Sequence, residues 1–231
     1  MSLETVFLDA GGVFIYPNWW RISDALAKYG VRVSPEALKA ADPHARRKLD
    51  DLKIIGGTTD ASRGWLFFDL ILAHAGVTPS ERTAAALAEL HTYHTISNLW
   101  EYVPDAVLPA LEALRQRGLQ IVVVSNANGT LRAHLDRLGL TPRFDVVLDS
   151  ADEGVEKPDP RFFEIALEKS GARRDTTIHV GDLYHVDVMG ARSAGLRGVL
   201  LDEANLRPDA DCPRIQSLEE LVKRIGTREF D

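Results

Sequence analysis

Cysteine and long hydrophobic runs are both scarce in this 231-residue sequence. The single cysteine, Cys212, lies in an acidic, proline-rich stretch (RPDADCPR). A lone cysteine excludes a disulfide framework and a cysteine-based metal site. No run approaches the roughly 18 uninterrupted apolar residues that a membrane span requires, and no apolar leader precedes the first predicted strand. We therefore expect a cytoplasmic protein without membrane contact.

Positive charge is also in short supply. The chain has 27 lysine and arginine residues against 34 aspartate and glutamate residues, which gives a formal net charge of −7. This sign is wrong for a surface that must neutralise many phosphates along a nucleic acid. We expect no nucleic-acid partner, although a local site could still bind a small anion. No heptad or exposed apolar stripe stands out, so we expect a monomer or a homodimer.

Short β-rich runs alternate with segments of helical periodicity. The first run begins at Val6, and the later runs cover residues 120–125, 144–148, 177–181 and 198–201. Near-continuous apolar strands predict a sheet covered on both faces. The alternation predicts an α/β fold with right-handed crossovers, a doubly wound (Rossmann-like) parallel sheet. Ligands of such sheets bind outside the carboxyl ends of the strands, where Asp9, Ser125 and Asp182 are expected.

About 110 residues separate the first strand from the second, far more than a crossover helix needs. The pattern between them is helical, with predicted helices over residues 19–29, from 35 onward, 43–54, 61–75 and 79–95. The last of these is expected to have Thr78 as N-cap, Pro79 in its first position and Glu81 in its third. We predict a core domain of residues 1–15 and 100–231 and an all-helical cap domain of residues 16–99 over the mouth of the sheet.

Four motifs follow one another in the sequence. They are Asp9 in FLDAGGVF, Ser125-Asn126, Lys157-Pro158, and Gly181-Asp182 with Asp187 five residues later. In this order they resemble the haloacid dehalogenase superfamily of hydrolases, in its phosphatase-like branch with an α-helical (C1-type) cap. The resemblance covers residues 5–201. It implies a magnesium-dependent phosphohydrolase that acts on a small phosphorylated metabolite.

The resemblance also implies the roles of the acidic residues. A carboxylate that attacks a phosphate ester meets anion–anion repulsion, so a divalent cation must bridge the charges, and oxygen ligands select Mg²⁺. Asp9 is expected to be both metal ligand and nucleophile, forming an aspartyl-phosphate, and Asp182 is expected to be the second metal-binding carboxylate. The backbone carbonyl of Gly11 is a further predicted ligand. Asp187 is expected to contact the metal or to hold a coordinating water.

The remaining predicted site residues would hold the phosphoryl group. Ser125 is expected to donate its hydroxyl to a phosphoryl oxygen, with Asn126 beside it. Backbone N–H groups of residues 126–129 and the N-terminus of the following helix are expected to help. Lys157 is predicted to be catalytic, because its ammonium would balance charge that develops on the transferring group.

One acid of the family pattern is missing. Most phosphatases of this superfamily have a second aspartate two residues after the nucleophile, and here that position is Gly11. Losing a positioned general acid and base costs about 10²–10⁴ in rate, or roughly 3–5 kcal/mol of barrier. Tyr16, Glu101, Tyr184 or His185 could replace it. Alternatively, the leaving group could depart unprotonated, as from an acyl, anomeric sugar or aryl phosphate. A third alternative is a catalytically impaired relative that only binds a phosphorylated ligand.

A 2-haloacid dehalogenase-like hydrolase is the other alternative. The dehalogenase branch also lacks the second aspartate, because halide leaves without protonation. Those enzymes work without metal and depart from the Gly-Asp pair of the fourth motif, whereas GDLYHVD is phosphatase-like. The sequence therefore favours phosphate chemistry.

Overall fold

The computed structural model describes residues 2–57 and 60–227, so residues 1, 58, 59 and 228–231 of the predicted domains lie outside the described part. The chain divides into two compact units. One comprises Met1–Ile15 with Val103–Asp231, and the other comprises Tyr16–Tyr102. The first contains a sheet and the second, the helical unit, is built from helices. The role of the helical unit as a cap domain stays a prediction.

A six-stranded parallel sheet forms the centre of the first unit, with the strand order β3-β2-β1-β4-β5-β6. Its strands are β1 (Thr5–Leu8), β2 (Gln120–Ser125), β3 (Val146–Asp149), β4 (Thr177–Gly181), β5 (Arg197–Leu201) and β6 (Arg214–Ile215). The predicted α/β fold is confirmed. From β1 the chain adds β2 and β3 on one side of the sheet and then β4, β5 and β6 on the other. The neighbouring strands β1 and β4 are therefore the topological switch point.

The helical unit contains five helices in the described residues. They are α1 (Trp19–Lys28), α2 (Pro35–Leu49), α3 (Leu52–Gly57), α4 (Asp60–His74) and α5 (Glu81–Ser97). Their apolar faces share one core that includes the buried Trp19, Leu38 and Phe68. The first and last residues of the unit pair with each other, since the N–H of Tyr16 donates to the carbonyl of Tyr102 at 2.8 Å and the reverse bond measures 2.9 Å.

Two predicted helix starts in this unit are wrong. Pro43 lies inside α2 rather than at the start of a new helix. A proline in that position removes one backbone hydrogen bond, and the buried ion pair of Asp42 with Arg46 joins the residues on either side of it. The predicted cap of α5 is also displaced, because Ser80 is the N-cap and accepts from the N–H of Thr83 at 3.2 Å, while the Thr83 hydroxyl accepts from Ser80.

The helices of the first unit alternate with its strands, which is the predicted pattern apart from the short α8. They are α6 (Val107–Gln116), α7 (Leu131–Arg137), α8 (Ser150–Glu153), α9 (Pro160–Ser170), α10 (Met189–Ser193) and α11 (Leu218–Arg224). Gly171 ends α9 with a φ of +67°, a left-handed conformation that favours glycine. The short α8 and the two-residue β6 were not predicted, because neither is long enough to show a period. Across the described residues, none of the helices has both the length and the apolar character needed to span a membrane.

Both faces of the sheet are buried. Phe7, Val122 and Val124 belong to a core cluster with Phe163 of α9 and Ala191 of α10. The alternate strand residues, which point to the opposite face, are equally buried; among them are Val6, Leu8, Ile121 and Val123. Because water is excluded on both sides, the strand ends are the positions where polar side chains of the sheet can reach a ligand.

Candidate active site

Two carboxylates follow the neighbouring strands at the switch point. Asp9 comes directly after β1 and Asp182 directly after β4, and these strands are paired with Leu8 opposite Val180. The N–H of Asp9 continues the pairing by donating to the carbonyl of Val180 at 2.9 Å. The sheet therefore brings both acidic side chains to the same edge, as the sequence predicts.

A third carboxylate joins this pair. Ligand oxygens of Asp9, Asp182 and Asp187 all lie within 4.8 Å of one another. Asp187 is fully buried, whereas Asp9 and Asp182 are partly accessible. Carboxylate oxygens at this spacing are suited to a hard divalent cation such as Mg²⁺.

The loop after Asp9 turns as sharply as its glycines suggest. The carbonyl of Ala10 accepts from the N–H groups of Phe14 and Ile15, each at 3.1 Å. Gly12 has a φ of +78°, which a side chain would disfavour. Gly11 lies between Ala10 and Gly12 in this turn, and the use of its carbonyl as a metal ligand stays a prediction.

Lys157 is buried at the centre of the acidic cluster. Its Nζ lies 2.8 Å from Oδ1 of Asp9 and 2.7 Å from Oδ1 of Asp187, and the residue is 1% exposed. Burial opposes its charge, but the carboxylates of Asp187 and Asp9 together raise the pKa of Lys157 above its ordinary value. Burial likewise opposes the charge of Asp187, and Lys157 lowers the pKa of that carboxyl. The structure thus holds an ammonium against the predicted nucleophile.

Asn126 fixes the backbone of Lys157. Its side-chain NH₂ donates to the Lys157 carbonyl at 3.0 Å, and its side-chain oxygen accepts from the Lys157 N–H at 2.8 Å. Both ends of the amide are therefore used within the protein. The predicted substrate contact of Asn126 stays a prediction, and the observed contacts give its side chain a positioning role.

The loop after Ser125 is organised differently from the prediction. Ser125 ends β2 and is buried. The N–H groups of Ala127 and Gly129 were expected to bind a phosphoryl group, but they donate to the Ser150 hydroxyl at 3.0 Å and to Oδ2 of Asp149 at 2.8 Å. That expectation is wrong for these two groups, because side chains at the end of β3 already occupy them.

The helix that follows this loop is also capped from within. Its first residue, Leu131, donates its N–H to Oδ2 of Asp149 at 3.1 Å. Asp149 therefore organises the predicted phosphate loop, and sequence reasoning missed it. The available signal was an acidic residue at the end of an apolar strand, the same signal that identified Asp9.

Gly181 makes room for Asp187. A Cβ atom added to Gly181 would lie 2.1 Å from Cγ of Asp187, a distance that real atoms do not adopt. The chain reaches Asp187 through a wide π-helical turn over Tyr184–Val188, and the N–H of Leu183 donates to Oδ2 of Asp187 at 3.0 Å. This turn leads into α10 and places the third carboxylate against the strand end.

His179 is a site residue that the motifs did not reveal. It lies inside β4, is 0% exposed, and places Nε2 3.0 Å from Oδ1 of Asp187. Its Nδ1 is buried and has no hydrogen-bond partner in the part of the chain that the structure describes. Leaving a buried acceptor unpaired costs about 1–3 kcal/mol. A histidine inside the apolar run TIHVG was the signal that could have drawn attention to it.

Two of the candidate replacement acids are engaged elsewhere. Glu101 accepts from Asn18 at 3.0 Å, Arg21 at 2.9 Å and Tyr93 at 2.9 Å; burial opposes its charge, but these hydrogen bonds lower its pKa. The Tyr184 hydroxyl donates to Asp211 at 2.5 Å, and this bond raises the pKa of Tyr184. Glu101 is therefore held as a carboxylate, and the Tyr184 proton is already committed to Asp211.

Comparison with known proteins identifies relatives among hydrolases. A family model described as haloacid dehalogenase-like hydrolase matches residues 4–195. The human haloacid dehalogenase-like hydrolase domain-containing protein 3 is 33% identical over 180 residues, which cover 75% of this chain and 70% of that protein. The ribulose-1,5-bisphosphate 5-phosphatase of Halopiger xanaduensis is 35% identical over 149 residues, which cover 64% of this chain but only 61% of that enzyme.

A solved structure supports the fold along nearly the whole chain. The 2-haloacid dehalogenase of Pseudomonas syringae pv. Tomato superposes with a TM-score of 0.59 at 25% identity, covering 97% of this chain and 98% of that one. The HAD phosphatase of Thermococcus onnurineus also superposes, with a TM-score of 0.61 at 24% identity over 98% of this chain and 100% of that one. The fold is therefore common to proteins named for phosphate chemistry and to proteins named for carbon–halogen chemistry. Only the site residues can separate the two.

Proposed function

Because the chain belongs to the haloacid dehalogenase-like hydrolases, we propose that it is a Mg²⁺-dependent phosphatase of a small phosphorylated metabolite. The named activity of the Halopiger relative and the phosphatase-like motifs support this function. A helical cap over residues 16–99, a cytoplasmic location and a monomeric or homodimeric state stay predictions from the sequence.

The observation that carries the proposal is the cluster of three carboxylates around one ammonium. Asp9, Asp182 and Asp187 present oxygens within 4.8 Å of one another, and Lys157 contacts two of them. Three carboxylates against one ammonium leave two negative charges, which a divalent cation would neutralise. The all-oxygen donor set fits Mg²⁺. Asp9 and Asp182 would hold the ion with the Gly11 carbonyl, and Asp187 lies within reach of it.

The residues of the site support an in-line displacement at phosphorus. When bound, Mg²⁺ would supply the charge neutralisation that lets an anionic nucleophile approach an anionic phosphate. A carboxylate oxygen of Asp9 would form the new bond to phosphorus while the bond to the leaving oxygen breaks, and the leaving group would depart with that electron pair. The ammonium of Lys157, 2.8 Å from Asp9, would balance charge on the phosphoryl oxygens, and Ser125 would donate its hydroxyl to one of them. Water would then attack the phosphorus of the aspartyl-phosphate as its bond to Asp9 breaks, which restores the Asp9 carboxylate, releases inorganic phosphate and passes the proton of the water to solvent.

Gly11 restricts which leaving groups suit this site. It provides no side-chain acid, Glu101 is held as a carboxylate, and Tyr184 donates to Asp211. Tyr16 and His185 are therefore the remaining candidates for a replacement acid. A leaving group that is stable as an anion needs no proton, so we infer a preference for acyl, anomeric or aryl phosphates over alkyl monoesters. Loss of general acid catalysis would slow the alkyl esters by about 10²–10⁴.

Hydrolysis assays test this proposal. Purified protein with Mg²⁺ is expected to hydrolyse acetyl phosphate and p-nitrophenyl phosphate about 100-fold faster than glycerol phosphate. EDTA and the Asp9→Asn substitution are each expected to abolish turnover. Equal rates on activated and alkyl phosphates would contradict the leaving-group inference, and no hydrolysis of any phosphate would contradict the proposed function.

Dehalogenation is the second candidate, favoured by Gly11 and by the similarity to the Pseudomonas syringae enzyme. Displacement of halide from carbon needs no metal, so a second partly accessible carboxylate, Asp182, would serve no purpose beside Asp9. The test is chloride release from 2-chloropropionate in EDTA. Turnover under that condition would favour dehalogenation over phosphate hydrolysis.

A further inference from the structure

A buried histidine lies at the end of the row of contacts that holds Lys157. His179 is 0% exposed, and its ring meets the ring of Phe163 edge-on, with 5.0 Å between the centroids. Its Nε2 is 3.0 Å from Oδ1 of Asp187, and the same oxygen accepts from Nζ of Lys157 at 2.7 Å. A row of contacts therefore runs from the imidazole of His179 through Asp187 and Lys157 to Asp9.

The contacts determine which nitrogen of the imidazole carries the proton. Oδ1 of Asp187 belongs to a carboxylate, so both of its neighbours must donate to it, and Nε2 of His179 must be the N–H nitrogen. Nδ1, the other ring nitrogen, has no hydrogen-bond partner among the described residues.

An apolar side chain at this position would avoid the unpaired nitrogen. What the imidazole adds is one N–H group aimed at Asp187, whose other oxygen is fixed by the N–H of Leu183 at 3.0 Å. With both oxygens fixed, the carboxylate presents Oδ1 to Lys157 in one orientation. We propose that His179 is a positioning residue, whose Nε2–H orients Asp187 so that Lys157 is held against Asp9. This inference rests on the proposed phosphatase function.

A matched pair of variants tests the proposal. His179→Gln places an amide donor near the position of Nε2, whereas His179→Met has a similar length and volume but no donor. The control is His134→Met, because His134 is also buried but lies on α7, where it contacts Arg137. For p-nitrophenyl phosphate with Mg²⁺, we expect His179→Met to lower kcat about 10-fold to 100-fold with little change in KM. His179→Gln should recover most of that loss, and His134→Met should keep the kcat of the folded protein.

A second readout does not depend on activity. The ¹⁵N resonance of the buried Lys157 ammonium should shift or broaden in His179→Met and return in His179→Gln, and the ¹⁵N imidazole spectrum of the wild type should show the Nε2–H tautomer of His179. If the wild type hydrolyses no phosphate, the proposed function fails while these spectra still test the positioning role. An Nδ1–H tautomer would overturn the inference. So would a His179→Met variant that matches the wild type in kcat and in the Lys157 resonance, or a loss of kcat that His134→Met shares.

Discussion

Replacing Lys157 by methionine removes a buried cation that contacts both Asp9 and Asp187. The lysine is 1% exposed and lies 2.8 Å and 2.7 Å from the two carboxylates. Methionine fills a similar volume without charge, so the perturbation is electrostatic rather than steric. Asp187 keeps the N–H donors of His179 and Leu183 but loses its counter-charge.

The expected loss of stability is large. Breaking a buried ion pair by removing one partner costs about 3–5 kcal/mol, because the other charge stays buried without compensation. We therefore expect Lys157→Met to lower the free energy of unfolding by about 3 kcal/mol at pH 7.5 in metal-free buffer. The assay is urea unfolding followed by far-UV circular dichroism, because all four tryptophans belong to the helical unit and Lys157 belongs to the first unit. For phosphatase activity, we expect a fall in kcat of about 10²–10³-fold.

The pH dependence provides a stricter test. In the wild type, the pKa of Asp187 is lowered and that of Lys157 is raised, so both contributions are complete between about pH 5 and pH 9. The Asp187 contribution is lost only as pH falls through its depressed pKa, and the Lys157 contribution only as pH rises through its raised pKa. In Lys157→Met, burial would instead raise the pKa of Asp187. Between pH 7 and pH 5 the folded variant would then bind a proton that the unfolded chain does not. The variant would therefore gain stability as the pH falls, and the difference in free energy of unfolding between the wild type and Lys157→Met would decrease by up to about 1.4 kcal/mol per pH unit.

The double variant Lys157→Met with Asp187→Asn is the matched control. Replacing the uncompensated carboxylate of Asp187 by a neutral amide should recover more than half of the lost stability. The remaining difference in free energy of unfolding from the wild type should then no longer depend on pH. Equal stability of Lys157→Met and the wild type at pH 7.5 would refute the buried ionic cluster. If the stability difference between Lys157→Met and the wild type stays constant from pH 7 to pH 5, Asp187 is not the carboxylate that loses its counter-charge.

Three further predictions concern single residues. Asp9→Asn should lower kcat on p-nitrophenyl phosphate by at least about 10³-fold in a protein that is still folded by circular dichroism; retained turnover would exclude Asp9 as nucleophile. Gly181→Ala should lower the free energy of unfolding by about 1–3 kcal/mol in urea, because the added Cβ would overlap Asp187. A Cβ added at Gly64 meets no atom within 4 Å, so the control Gly64→Ala should raise the free energy of unfolding by about 0.5–1 kcal/mol. Equal effects would contradict the close packing at Gly181. Glu101→Gln should change kcat on glycerol phosphate less than about threefold, and a 100-fold fall would restore Glu101 as the general acid.

The sequence predicted the α/β core because local patterns specify it. Apolar strands alternate with helices whose ends are marked by glycine, and the parallel order then places Asp9 and Asp182 at one edge. Pro43 shows the limit of such reasoning, because a local rule against proline inside helices gave way to packing and to the ion pair of Asp42 with Arg46.

The supporting residues of the site could not be predicted in the same way. The partner of His179 depends on the π-helical turn that brings Asp187 back over Gly181, and no spacing in the sequence encodes that contact. Asn126 is bonded to the backbone of a residue 31 positions away, which only the folded sheet brings beside it. The motifs therefore pointed to the acidic cluster and to Lys157, whereas the structure was needed to find Asp149 and His179, which contact and orient the groups around them.

The most direct measurement is a crystal structure of the protein with Mg²⁺ and beryllofluoride, a mimic of the phosphoryl group. We predict beryllium bonded to one carboxylate oxygen of Asp9, with magnesium held between Asp9 and Asp182 and the ammonium of Lys157 still beside Asp9. Magnesium bound away from these two carboxylates, or an Asp9 that stays free of beryllofluoride while the ion is in place, would contradict the proposed nucleophile and its shared metal.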